Sequence, residues 1–329
     1  MSTRLKLDIE IIPFELKVPF VITGYRWTTT DTVRVSLTVD GCTGRGEAVG
    51  SYYLEEAAES MAAELEGIAP RISATTTPEE LQLLMPACGA RNALDCALWD
   101  LRCKQAGRSI WELLDLRPKP LTTVFTIGIE TPEVMAERAR EAAELTHLKI
   151  KLDDEQPIER LEAIRAARPD ANLVIDVNQG WSLAELKEYL PHCERLGIAM
   201  VEQPLARGED ALLDGLVSPV PLGADESCLH LGEFDQVVGR YEVLNIKLDK
   251  CGGLTEALAL VEKAQAANMA IMVGNMTGSS LSMAPAFVIG QYSRFVDIDG
   301  PLLFTHDIED GLSYTEGGCV QPPASRLWG

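Results

Sequence analysis

Five charged residues, Lys151, Asp176, Glu202, Asp225 and Lys247, recur at intervals of 22 to 26 residues, each closing a short apolar run. That interval holds one strand, one helix and two loops, so one charged side chain per βα unit is delivered to the same rim of a parallel barrel. A single strand-end acid would be read as a cap for the helix that follows. Three on adjacent strands, within Val-Ile-Asp-Val-Asn, Val-Glu-Gln-Pro and Gly-Ala-Asp-Glu-Ser, converge and repel one another unless a cation lies between them. An all-oxygen cage with room for water and substrate suits Mg2+ better than zinc. Asn178 and Asp249 are expected to support the three ligands from behind.

Lys149 and Lys151 are two apart on one strand, so both side chains face the barrel interior. A lysine there is costly unless paired or neutralised. One reading has Lys149 and a metal lowering the pKa of Lys151, which then acts as a base near neutral pH. The other makes Lys149 an interior ion pair with one of the carboxylates; Lys149 is also counted among the residues expected to bind the substrate. Lys247 comes from the sixth strand, across the barrel from the second, so two lysines would face a bound substrate from opposite sides. On the last strand Asp297 and Asp299, also two apart, point to the rim and require a cationic partner, a second ion or a nearby lysine.

The elements that would position these residues form two segments. Residues 4–12 and 32–39 alternate as antiparallel strands, and residues 54–68, 78–85 and 91–105 show helical spacing, with Gly107 as a C-terminal stop. Beyond Pro118 and Pro120 the texture becomes βα alternation. Strands are expected at 122–129, 147–152, 172–177, 198–202, 221–224, 243–248, 270–273 and 295–298. Helices are expected at 132–145, 158–167, 183–196, 210–216, 232–238, 254–267 and 280–289. The fold class is therefore α/β, a modified (β/α)7β TIM-type barrel with an α+β N-terminal capping domain. The cap spans 1–118, completed by about 305–329, and the barrel spans 119–304.

With 329 residues and 46% hydrophobic composition the chain can bury a large core. A net charge of −21 excludes a nucleic-acid or anionic-membrane partner, which needs a basic footprint. No signal-like or membrane-spanning apolar run is present, so a cytoplasmic location is expected. The eight cysteines lack CxxC spacing and read as reduced, mostly buried residues. A homo-oligomer is compatible with all of this.

These residues together resemble the enolase superfamily and, within it, the muconate-lactonising subgroup. The matching features are Lys149-Ile-Lys151, the ligand set Asp176, Glu202 and Asp225, Lys247 ahead of Gly252-Gly253, and Ala93-Leu94-Asp95-Cys96-Ala97-Leu98-Trp99-Asp100-Leu101 in the cap. The resemblance covers nearly the whole chain. It implies abstraction of a proton α to a carboxylate held by Mg2+, with Lys151 and Lys247 as the bases. Asp297-Ile-Asp299 is similar to the element with which dipeptide epimerases hold a substrate's free α-ammonium group. The implied activity is epimerisation at the C-terminal residue of a dipeptide, L-Ala-D/L-Glu being the best-known case, as in recycling of cell-wall peptides. Arg26 falls in the loop after the first strand, where an arginine in relatives reaches a substrate side-chain carboxylate. The loop Gly274-Asn275-Met276-Thr277-Gly278-Ser279-Ser280 departs from the Gly-Cys-Met start of some relatives, which leaves the C-terminal amino acid open. Alternatives within the subgroup are o-succinylbenzoate synthase, N-acylamino acid racemase and muconate cycloisomerase; a non-catalytic metal-binding scaffold is the remote one.

Overall fold

A computed structural model describes residues 5–329. The chain opens with three antiparallel strands, β1 (Leu5–Ile22), β2 (Tyr25–Val39) and β3 (Cys42–Ala48), followed by helices α1 (Ala58–Ile68), α2 (Pro78–Leu84), α3 (Gly89–Ala106) and α4 (Ile110–Leu113). Val33, Val35, Leu37 and Val39 alternate along β2 and bury one face of the sheet, against which α3 packs. The approach is very close. A Cβ at Gly44 or Gly46 would lie 2.2 Å from the Ala97 carbonyl or 2.1 Å from that of Ala93, so the helix face is built from alanines and the strand from glycines. Gly107 ends α3 in the left-handed conformation, as expected from sequence.

Two short strands, β4 (Leu121–Thr122) and β5 (Phe125–Ile127), lead into the barrel. Its remaining strands are β6 (His147–Lys151), β7 (Asn172–Asp176), β8 (Ile198–Glu202), β9 (Leu222–Ala224), β10 (Val243–Lys247), β11 (Ala270–Gly274) and β12 (Phe295–Val296). The eight strands β5 to β12 form one parallel sheet in chain order, and its ends meet where Val124 N–H donates to Val296 O at 2.8 Å. Between them lie α5 (Pro132–Glu141), α6 (Pro157–Ala167), α7 (Leu183–Arg195), α8 (Leu248–Cys251), α9 (Leu254–Ala266) and α10 (Ser280–Gly290), then α11 (Gly300–Leu303) after the last strand. The helices expected at 210–216 and 232–238 are instead single 3-10 stretches, Asp210–Leu213 and Leu231–Gln236. Segments that short gain too few hydrogen bonds to repay helix nucleation.

Alternation divides the barrel interior into two levels. Val124, Val174, Met200, Val243, Met272 and Phe295 form an apolar plug, and two positions further along their strands Asp176 follows Val174 and Glu202 follows Met200, one level above it. At the C-terminal end, β13 (Tyr314–Thr315) pairs with β14 (Cys319–Val320) and β14 with β4, and the chain then returns to the cap side. There the indole of buried Trp328 donates to Cys96 O at 3.0 Å and Gly329 O accepts from Ile110 N at 2.8 Å. No helix among the described residues is long and apolar enough to cross a membrane.

Candidate active site

Strand register sets the site. Lys151 pairs with Asp176 across β6 and β7, and Asp176 with Glu202 across β7 and β8, so three charged residues stand side by side at one level. Asp225 follows directly on β9, whose Gly223 pairs with Glu202. Carboxylate oxygens of Asp176, Glu202 and Asp225 lie within 4.8 Å of one another, and all three residues are fully buried. Lys151 Nζ donates to Asp176 Oδ2 at 2.6 Å, and Lys247 Nζ donates to Asp225 Oδ2 at 2.7 Å. Lys247 pairs in register with Gly274, where a Cβ would stand 2.9 Å from the lysine Cε.

The electrostatics reflect this crowding. Burial raises the Asp176 carboxyl, but Lys151 and Lys149 outweigh it and hold the group well below the usual carboxylate range. Asp225 is likewise held low, against burial, by Lys247 and Lys250. Glu202 has the opposite fate: burial and then the Asp176 charge push it up to about 8. Its Oε2 lies 2.8 Å from the Lys149 ammonium yet accepts no well-formed hydrogen bond, a buried carboxylate oxygen left open. Three convergent acids with an orphaned oxygen fit a hard, oxygen-seeking divalent cation.

Lys149 is the interior ion pair of the two sequence readings. Its ammonium lies 3.0 Å from Asp176, 2.8 Å from Glu202 and 2.9 Å from Asp297. Burial draws its pKa down, but these acids hold it well above the ordinary lysine value. It lines the floor of the cavity with its ammonium among protein carboxylates, of which Asp297 Oδ2 accepts its well-formed hydrogen bond.

A cavity of about 340 Å³ opens above these groups between barrel and cap, lined by Lys151, Lys247, Asn178, Asp297 and Asp299 from below and by Trp27, Val49 and Tyr52 from above. Asp297 and Asp299 reach it from beyond the end of β12, not from within the strand, so strand alternation is not what aims them. Asp299 instead begins α11, with its Oδ2 accepting Thr126 N–H at 2.6 Å. Burial, then the charge of Asp297, raises the Asp299 carboxyl to about 7. Arg26 lies in β2, paired with Val21, rather than in a loop; it is exposed and does not line the cavity, which its neighbour Trp27 does.

Asn178 Oδ1 accepts from Lys151 Nζ at 3.0 Å and its amide donates to Glu226 Oε1 at 3.2 Å, while its backbone N–H, not its side chain, reaches a ligand acid, Asp176 Oδ1 at 3.0 Å. Asp249 is not behind the acids. It accepts Val49 N–H at 2.8 Å and Gly50 N–H at 3.1 Å, fastening the cavity's upper wall to the barrel. Sequence reading missed Lys250, whose fully buried ammonium donates to Asp225 Oδ1 at 2.6 Å and to the carbonyls of Asp225, Asn245 and Cys228. It missed Asn245 as well, which donates to Glu202 Oε1 at 2.6 Å and, two residues before Lys247, shares its face. That periodicity was the available signal; for Lys250, beyond the strand, there was none.

Residues 7–115 match the model of the mandelate racemase/muconate lactonizing enzyme N-terminal domain, and residues 134–326 match the enolase C-terminal domain-like model. The L-Ala-D/L-Glu epimerase of Escherichia coli K12 is 39% identical over 92% of this chain and 95% of its own length. An N-acetyl-D-glutamate racemase from a Pseudoalteromonas species is 42% identical over 76% of this chain and 79% of its own. Among solved structures, an enolase family member from Agrobacterium tumefaciens with homology to dipeptide epimerases, holding sodium and L-Ala-L-Glu, superimposes with a TM-score of 0.96 at 40% identity, covering 99% of this chain and 100% of that one. A dipeptide epimerase from Cytophaga hutchinsonii, holding Mg and D-Ala-L-Val, gives a TM-score of 0.90 at 26% identity over 98% of this chain and 94% of that one. With both domain models matched across most of its length, and with relatives that are epimerases and racemases, the chain belongs to the mandelate racemase/muconate-lactonizing branch of the enolase superfamily.

Proposed function

We propose that this protein is a Mg2+-dependent dipeptide epimerase that inverts the α-carbon of the C-terminal residue, with L-Ala-D/L-Glu as the expected substrate pair. The observation that carries it is the placement of Lys151 and Lys247 on separate strands, each 2.6 to 2.7 Å from a different acid of one three-carboxylate cluster. Asp176, Glu202 and Asp225 would hold the cation, which supplies positive charge to the substrate carboxylate and draws the acids' charge away from the two lysines. One lysine removes the α-proton on its face, and the other returns a proton to the opposite face of the planar carbon. The direction of reaction decides which acts first. Lys149 keeps the acids compensated from below, while Asn178 orients Lys151. Asp297 and Asp299 bind the substrate's free ammonium group.

Relatives named for L-Ala-D/L-Glu support the choice of substrate. Arg26 is assigned to the substrate's side-chain carboxylate, which it contacts only if the β1–β2 hairpin turns inward, because its side chain is exposed in this structure. We place the enzyme in the cytoplasm, in keeping with eight free cysteines, and its substrates among cell-wall peptides. The direct test is mass spectrometry of L-Ala-L-Glu in D2O. Deuterium at the glutamyl α-carbon with formation of the D-epimer is the expected result; no exchange in the presence of Mg2+ would sink the reading.

The Pseudoalteromonas relative favours a second reading, an N-acylamino acid racemase. It would use the same lysines and acids on a substrate without a free amine. Two carboxylates at the position of the acyl group disfavour it, and the muconate- and succinylbenzoate-type reactions more strongly, since like charges would repel their anionic substrates.

A further inference from the structure

Asn275, the first residue after β11, takes no part in the chemistry above. Its side chain nevertheless spans the acidic pair. The Nδ2 amide donates to Asp297 Oδ1 at 2.8 Å, to Asp297 O at 3.0 Å and, more weakly, to Asp299 Oδ1 at 3.3 Å. Its Oδ1 accepts Thr277 N–H at 2.6 Å, and Thr277 is held at φ 65°, a left-handed conformation that a β-branched residue adopts only when its surroundings enforce it. With Lys149 on Asp297 Oδ2 and Thr126 N–H on Asp299 Oδ2, each of the four carboxylate oxygens has one donor from the protein. A carboxylate oxygen accepts two hydrogen bonds. Each thus has capacity for a further donor, and when both acids are ionised the corner presents acceptors to a ligand. The matching ligand is one with donors alone, an ammonium group.

We propose that Asn275 is a positioning residue that presets Asp297 and Asp299 for the substrate ammonium, and so selects free-amine dipeptides over N-acyl compounds. The inference rests on the dipeptide reading and assigns to Asn275 a step in substrate choice rather than in proton transfer. Removing the amide lets the two acids relax apart and leaves Thr277 N–H without its acceptor, while Lys151, Lys247 and the three ligand acids keep their contacts.

The test compares Asn275→Ala and Asn275→Ser with wild type on L-Ala-L-Glu and on N-acetyl-L-Ala-L-Glu, the latter as substrate or competitive inhibitor. For the free dipeptide KM should rise about ten- to a hundredfold in the alanine variant, as for lost hydrogen bonds to charged groups, with kcat nearly unchanged. Asn275→Ser, which keeps one donor, should fall between. Affinity for the acetylated compound and for Mg2+, by calorimetry, should stay as in wild type. A merely structural role for Asn275 would weaken both compounds alike or lower kcat for both, and either result overturns the proposal, as does an unchanged KM. If wild type itself prefers the acetylated compound, the dipeptide reading fails first and Asn275 loses its assigned ligand.

Discussion

The ammonium of Lys149 lies 2.9 Å from Oδ2 of Asp297, so one buried lysine ties the three-acid cluster to the acidic pair beyond the last strand. The two halves of the site, proposed to take the substrate's carboxylate and its amine, share this compensating charge. Lys149→Met should therefore destabilise the metal-free protein by about 3–5 kcal/mol, because three buried acids lose their partner. Added Mg2+ should restore more of the melting temperature in the variant than in wild type. Equal shifts by calorimetry would show that Lys149 does not compensate the ligand acids.

Metal dependence follows from Asp176, Glu202 and Asp225. Treatment with EDTA should abolish epimerisation, and Mg2+ should restore it. Asn or Gln at any one position should lower kcat/KM on the order of a thousandfold while the fold is kept, judged by circular dichroism. Full turnover in EDTA would refute the assignment.

The two lysines should separate in exchange experiments. Lys247→Ala and Lys151→Ala should each stop epimerisation, yet each should still wash deuterium from D2O into the one epimer whose α-proton faces the lysine that remains. A single variant that exchanges both epimers would rule out two opposed bases.

Substrate affinity should depend on pH through Asp299, which burial and the Asp297 charge hold up to about 7. Below that pH the carboxyl is protonated and the ammonium loses a counter-charge; above it the group is ionised. KM for a free dipeptide should fall as pH rises from about 6 to about 8, and Asp299→Asn should flatten the profile. The N-acetylated compound, lacking the ammonium, should show no such slope.

Asp249 gives a test of the cap. Asp249→Ala leaves the N–H groups of Val49 and Gly50 buried without their acceptor, each at about 1–3 kcal/mol. Thermal melting should drop accordingly, and KM should rise because Val49 and Tyr52 line the cavity. An unaltered KM would mean that the wall holds its place without this anchor.

The barrel and the core of the site were legible in the sequence for a local reason. A parallel strand displays its last inward residue at the rim, so the spacing of Lys151, Asp176, Glu202, Asp225 and Lys247 already encodes their convergence, and the two-residue period places Lys149 below Lys151. Cap and barrel elements followed from alternation and helical spacing in the same way. What depended on long-range packing was not legible. Whether 210–216 and 232–238 complete a helix is decided by how little those segments gain from it. The pairing of Val21 with Arg26 turned an expected loop into a hairpin and left the arginine exposed. Asp249 found its partners nearly 200 residues away in sequence, at Val49 and Gly50. The aim of Asp297 and Asp299 comes from Lys149, Thr126 and Asn275 rather than from strand alternation. Sequence alone determined which charged groups meet, because strand periodicity is a property of neighbouring residues. Which of them are already paired, and which face the substrate, was decided by the tertiary structure, because a hydrogen bond depends on distances that only the closed barrel sets.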